Sequence, residues 1–102
     1  MHHAIIATGL FEIGAVRVRA FCANHYAIAD LFDENSFIDM NFRVGQGRNQ
    51  DDLKRAGDTI FLAASNYLAK QFETPHFALS FAMQEINSAL SWKKNAMHAR
   101  LR

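Results

Sequence analysis

Between Phe37 and Val44 apolar and polar residues alternate: Ile38, Met40, Phe42 and Val44 share one face, and Asp39, Asn41 and Arg43 share the other. A period of two predicts a half-buried strand. Gly45-Gln46-Gly47-Arg48 ends the alternation, because the two glycines admit backbone angles closed to a strand, and it leaves Arg48 at the mouth of the next element. There the period changes. Leu53, Ala56, Ile60, Ala64, Tyr67, Leu68 and Phe72 recur at mostly helical spacing, with Lys54, Arg55, Asp58, Asn66, Lys70 and Glu73 mostly turned away, so a long amphipathic helix is predicted. Asn49 is suited to cap it, with Asp52 in a weaker form of the capping box, and Asp51 and Asp52 suit the positive end of the helix dipole. Pro75 stops the pattern and pushes Thr74 toward an extended conformation. Beyond it, from His76 to Ile86, Phe77, Leu79, Phe81 and Met83 alternate with Ala78, Ser80, Ala82 and Gln84. The unit from Phe37 to Ile86 therefore reads as a right-handed β-α-β crossover with parallel strands.

The flanks add less. Val16, Val18, Ala20 and Cys22 alternate with Arg17, Arg19 and Phe21, which predicts a further strand over Ala15–Cys22. The polar connection from Ala23 to Ser36 would return it to the Phe37 strand as an antiparallel pair. Met1 to Thr8 reads as the last turns of a helix closed by Gly9, and as the back half of a longer one. Asn87 to Arg102 reads as a short turn followed by an irregular or strand-like arm. No linker rich in Gly, Pro or Ser divides the chain, so residues 1–102 form a single α/β domain of three strands and one long helix. Phe37 and Phe21 fall on the sheet's second face, which predicts burial of that face by association.

Composition narrows the function classes. With 102 residues, half of them hydrophobic and nine of them Phe, the chain is too apolar for disorder and too short for two domains. A formal charge of +1, with basic residues scattered among acids, sets aside nucleic acid and anionic membrane surfaces as partners. No apolar run approaches the roughly 20 residues of a membrane helix, and no basic stretch precedes an apolar core at the start. Cys22 is the single cysteine, so no internal disulfide is possible and a reduced, cytoplasmic setting is expected. His2, His3, His25, His76 and His98 lack the spacing of zinc ligands, and no metal or cofactor is expected.

The Gly45-Gln46-Gly47-Arg48 turn has neither the lysine and hydroxyl of a P-loop nor the third glycine of a dinucleotide fingerprint. On spacing alone it is either an anion-binding loop or a tight strand-to-helix turn. Arg17 and Arg48 are open in the same way. Converging at one sheet end, two guanidiniums would make a bidentate carboxylate site; otherwise they are solvated surface side chains.

Five ordered stretches carry a resemblance: Ala7-Thr8-Gly9-Leu10-Phe11, Val16-Arg17-Val18-Arg19, Ala29-Asp30, Val44-Gly45-Gln46-Gly47-Arg48, and Leu79-Ser80-Phe81 with Glu85-Ile86 and Leu90-Ser91-Trp92-Lys93. In order and spacing the chain resembles the 5-carboxymethyl-2-hydroxymuconate delta-isomerases of the tautomerase superfamily, over essentially its whole length. The resemblance implies a tautomerase-like fold of β-α-β units, a homotrimer, and a place in the breakdown of 4-hydroxyphenylacetate (homoprotocatechuate). It implies a proton shift on an unsaturated 2-hydroxy or 2-oxo polycarboxylate. Arg17 and Arg48 would bind substrate carboxylates and stabilise charge on the 2-oxygen. In that family the general base is an amino-terminal proline on a first strand, and no residue here matches it. Pro75 is the only proline, and its nitrogen lies in an amide. The chain thus reads as a family member lacking the first strand and most of the first helix. The alternative is a catalytically inactive short paralogue that binds a carboxylate ligand or serves only as a structural trimer.

Overall fold

The computed structural model describes residues 1–102. The chain forms, in order, helix α1 (His2–Ala7), strand β1 (Ser36–Gly45), helix α2 (Gln50–Tyr67), strand β2 (Phe77–Ile86) and helix α3 (Met97–Leu101), with 3-10 turns at Ile13–Ala15, Gln71–Glu73 and Ser88–Leu90. β1 and β2 pair in parallel over their whole length, from Ser36 opposite Phe77 to Gly45 opposite Ile86. The predicted crossover unit is present.

Alternation decides which side of this two-stranded sheet meets α2. Ile38, Met40, Phe42 and Val44 lie opposite Leu79, Phe81, Met83 and Glu85 and share one face. Gly57 of α2 approaches that face, its Cβ position lying 3.7 Å from the Met83 methyl and 3.9 Å from the Phe81 ring. Leu53, Ala56, Ile60 and Ala64 form the buried stripe of α2, as their spacing predicts, and Val44 and Ile5 complete the core. These six apolar residues make a thin layer. The radius of gyration, 16.2 Å against about 13 Å for a compact chain of this length, shows how elongated the molecule is.

Four expectations are corrected. The segment predicted as a strand over Ala15–Cys22 leaves the Ile13–Ala15 turn in extended conformation at Val16 but pairs with nothing in the chain. Its alternation survives without a ladder, since Arg19 lies over the Phe21 ring at 5.6 Å on one side of the backbone. A period of two reports a face, whereas a strand also needs an edge to pair with, and the loop that follows turns back on itself instead of delivering one. Asn35 Nδ2 donates to Asp30 Oδ1 at 2.8 Å and to the Ile28 carbonyl at 3.2 Å, with Ala29 and Leu31 between them in the left-handed region. The sheet therefore has two strands, with no antiparallel pair.

The long helix stops at Tyr67 rather than continuing toward Pro75. Tyr67 is 87% exposed, so nothing packs against its side of the next turn. Phe72 instead folds back through the Gln71–Glu73 turn and meets Phe77 edge to face at 5.0 Å. The C-terminal arm is helical at its end: α3 packs against the Ile13–Ala15 turn, where the Asn95 amide donates to the Gly14 carbonyl at 2.8 Å. Finally, the face of the sheet away from α2 is mostly polar. Asp39, Asn41 and Arg43 lie there with Ser80, which donates to Asp39 Oδ1 at 2.6 Å, and Phe37 and Ile86 are the large apolar side chains among them. Phe21, assigned to the same face by sequence, belongs to the unpaired segment.

Candidate functional site

Parallel strands joined by a helix crossover bring their carboxyl ends to one edge of the fold, the usual place for a ligand in an α/β sheet. Here that edge is built from the turn after β1. Gly47 has a φ of +107°, a conformation that side-chain-bearing residues rarely adopt, and it turns the chain from β1 into α2 within the four residues between them. Asn49 then caps the helix, its Oδ1 accepting from the Asp51 amide at 2.7 Å and the Asp52 amide at 3.3 Å. Gln46 Oε1 accepts from the Ser88 amide at 3.1 Å and the Ser88 hydroxyl at 3.3 Å, which ties the turn after β1 to the turn after β2. Gln50 Nε2 donates to Glu85 Oε1 at 3.3 Å across the same gap.

Arg48 stands between these ties and the amino-terminal segment. Its Nε donates to the Leu10 carbonyl at 3.4 Å and its Nη1 to the Gly45 carbonyl at 3.3 Å. Its Cζ lies 4.7 Å from the centroid of the Phe11 ring. A guanidinium has five N–H donors, two are engaged here, and three remain free of any acceptor in the chain. Arg48 is half-buried and makes no salt bridge, unlike Arg55, which pairs with Asp52 at 2.6 Å, or Arg102, which pairs with Glu12 at 3.0 Å. A partly desolvated cation without a counter-ion, its donors held in a fixed plane, is an arrangement that receives an anion, a carboxylate in particular.

Arg17 is placed differently. It lies on the unpaired segment after the Ile13–Ala15 turn, exposed, with no hydrogen bond or ion pair in the chain. Arg17 and Arg48 share no hydrogen-bond acceptor within the chain. Sequence reasoning missed Leu10 and Phe11 as the floor beneath Arg48, and Ser88 as the anchor of Gln46. Leu10 and Phe11 sit in an aperiodic turn after Gly9, whose φ is +69°, and no spacing rule links such a turn to a loop so far along the chain. No group of three His, Cys, Asp or Glu side chains is disposed to hold a metal ion. No helix is long and apolar enough to cross a membrane.

A second polar cluster is built on Glu12, the residue after Phe11. Glu12 Oε2 accepts from Arg102 Nη2 at 3.0 Å and lies 3.1 Å from His98 Nδ1, which is buried and outside hydrogen-bonding alignment. The Arg102 guanidinium, by hydrogen bond and by charge, holds the Glu12 carboxyl below its ordinary pKa. Asp30 is likewise lowered, first by the Asn35 amide and then by the Phe32 backbone N–H.

Comparison with known proteins follows the same lines. The family described as 5-carboxymethyl-2-hydroxymuconate isomerase matches residues 1–101. An Escherichia coli protein named 5-carboxymethyl-2-hydroxymuconate Delta-isomerase is 28% identical over 95 residues, which cover 93% of this chain and 75% of that protein. The crystal structure of a 5-carboxymethyl-2-hydroxymuconate isomerase from Deinococcus radiodurans R1 superposes with a TM-score of 0.91 at 30% identity, covering 99% of this chain and 78% of the other. A second crystal structure, of a 5-carboxymethyl-2-hydroxymuconate delta-isomerase, gives a TM-score of 0.87 at 28% identity, over 99% and 77% of the two chains. The family and the relatives alike are named for isomerisation, which favours the enzyme reading over an inactive or purely structural one.

Proposed function

Since the chain belongs to the 5-carboxymethyl-2-hydroxymuconate isomerase family, a family of isomerases, we propose that its site acts on an unsaturated 2-hydroxy or 2-oxo polycarboxylate and that Arg48 holds one of the carboxylates. The observation that carries this reading is the state of Arg48: half-buried, without a counter-ion, fixed by two carbonyls and an aromatic ring, with three donors left over. In a proton shift along a dienol, negative charge builds on the 2-oxygen. A guanidinium already fixed in place stabilises that charge without reorganising as the reaction proceeds. Arg17 is the second cation, reaching either the other carboxylate or a site on a neighbouring copy. Proton transfer is assigned to no residue of this chain; Pro75 is exposed, and its nitrogen is an amide. The setting we propose is cytoplasmic, in 4-hydroxyphenylacetate breakdown, with the chain assembled as a homotrimer. No cofactor or metal is called for, since the chemistry needs only a base and fixed positive charge.

Calorimetric titration with trans,trans-muconate, a stable unsaturated dicarboxylate, tests the binding role without requiring turnover. Arg48→Ala is expected to weaken binding about tenfold or more, from the loss of roughly 1.5–3 kcal/mol of charge-assisted hydrogen bonding. Arg55→Ala, on the exposed side of α2, is expected to bind as the unsubstituted chain does. Equal affinity of the Arg48→Ala and unsubstituted chains would remove Arg48 from the site.

A further inference from the structure

We propose that Phe11 is a positioning residue for Arg48, its ring face serving as the platform that sets the plane of the guanidinium and so the direction of the three free donors. The inference rests on the carboxylate role of Arg48 and adds to it the residue that makes the arginine a directional receptor. Two carbonyl contacts at 3.3 and 3.4 Å fix one edge of the guanidinium but leave it free to rock about that edge. The ring at 4.7 Å removes that freedom, because a planar cation over an aromatic face is attracted to it and stacks on it.

Phe11 is itself held from below. Its ring meets Phe42 at 5.2 Å with a 60° tilt, and Phe42 meets Phe81 at 6.3 Å, so a line of three aromatics runs from the sheet face to the arginine. Phe42 is on β1 and Phe81 on β2, the two strands whose carboxyl ends frame the site. The platform is thereby coupled to the most regular part of the fold. The same short segment supplies both supports, since Leu10 contributes the carbonyl and Phe11 the ring. Gly9 in the left-handed conformation delivers both residues together at the end of α1.

A cation over a ring contributes modestly at an exposed site and more when desolvated. For this half-buried pair, Phe11→Leu, which keeps apolar bulk against Phe42 but removes the ring face, is expected to weaken trans,trans-muconate binding about three- to tenfold. Phe11→Tyr keeps the face and is expected to stay within about twofold of the unsubstituted chain. In an Arg48→Ala background, Phe11→Leu is expected to have no further effect on binding, since the ring acts through the arginine. Purely structural packing by Phe11 would instead lower affinity in both backgrounds, and that result would overturn the proposal. A normal affinity for Phe11→Leu beside a weakened Arg48→Ala would overturn it too, leaving the carboxylate role of Arg48 intact. An unweakened Arg48→Ala would overturn both. Melting temperatures of all variants are recorded alongside, and Phe11→Met makes the same comparison if Phe11→Leu does not fold.

Discussion

Glu12 and His98 meet across almost the whole length of the chain, with Oε2 of the one 3.1 Å from Nδ1 of the other, and Arg102 closes on the same oxygen at 3.0 Å. The contact fastens the carboxyl-terminal helix to the first turn of the chain. Because the folded pKa of Glu12 is lowered, its contribution to stability is present above the ordinary value of 4.5 and is lost as pH falls through the lowered value. Glu12→Gln is therefore expected to melt below the unsubstituted chain at pH 7, and the gap should close in acid. Thermal melts across a pH series check this; a gap that widens in acid would have the wrong sign.

Gly14 underlies the same contact. A Cβ there would lie 3.0 Å from His98 Nδ1 and 3.3 Å from the His98 backbone, so α3 must shift before an alanine fits. Gly14→Ala is expected to loosen α3 while leaving the crossover unit folded. Limited proteolysis should then cut near Met97–Leu101 faster than in the unsubstituted chain, with the circular dichroism of α2 little changed.

Ile60 is 2% exposed and central to the buried stripe of α2. Ile60→Ala should cost about 2–5 kcal/mol in urea unfolding, a large share of the stability of so small a core. Tyr67→Ala, at the exposed end of the same helix, should change it by less than about 0.5 kcal/mol. A comparable loss from Tyr67→Ala would mean that the helix continues and packs where the structure ends it.

Association is expected from the exposed aromatics. Phe21 is 85% and Trp92 86% exposed, on segments that no other element of the chain covers. Light scattering coupled to size exclusion at micromolar concentration should give the mass of a trimer, and a clean monomer would count against the assembly proposed for the site.

The crossover was legible because its signals are local and agree with each other: alternation in β1 and β2, the Leu53-Ala56-Ile60-Ala64 stripe, the Asn49 cap and the glycine turn all describe one arrangement. The position of Arg48 at the mouth of α2 was legible for the same reason, since the turn that precedes it is written in glycines, whereas spacing left its role open and only the resemblance pointed to one. Arg17 shows the limit. Its alternating neighbours gave the correct face relations, yet a strand is a relation between two segments, and a single segment cannot name its partner. The end of α2 was misread because Phe72 keeps the helical period while its packing partner, Phe77, lies beyond Pro75. Phe11 was invisible as part of a site because a ring under a distant cation leaves no trace in spacing.

The pairing of β1 with β2, and with nothing else, has a consequence for how the sheet exchanges its backbone hydrogens with solvent. Successive N–H groups of a strand point to opposite sides. Along each of the two strands, therefore, every second amide is bonded to its neighbour and the ones between face an open edge. In heavy water, a chain with these edges bare should show a period of two in its exchange rates, slow and fast residues alternating from Ser36 to Gly45 and again from Phe77 to Ile86. If a further strand docks on either edge, the fast set on that strand alone falls silent, so the rhythm of exchange reports which edge has been filled.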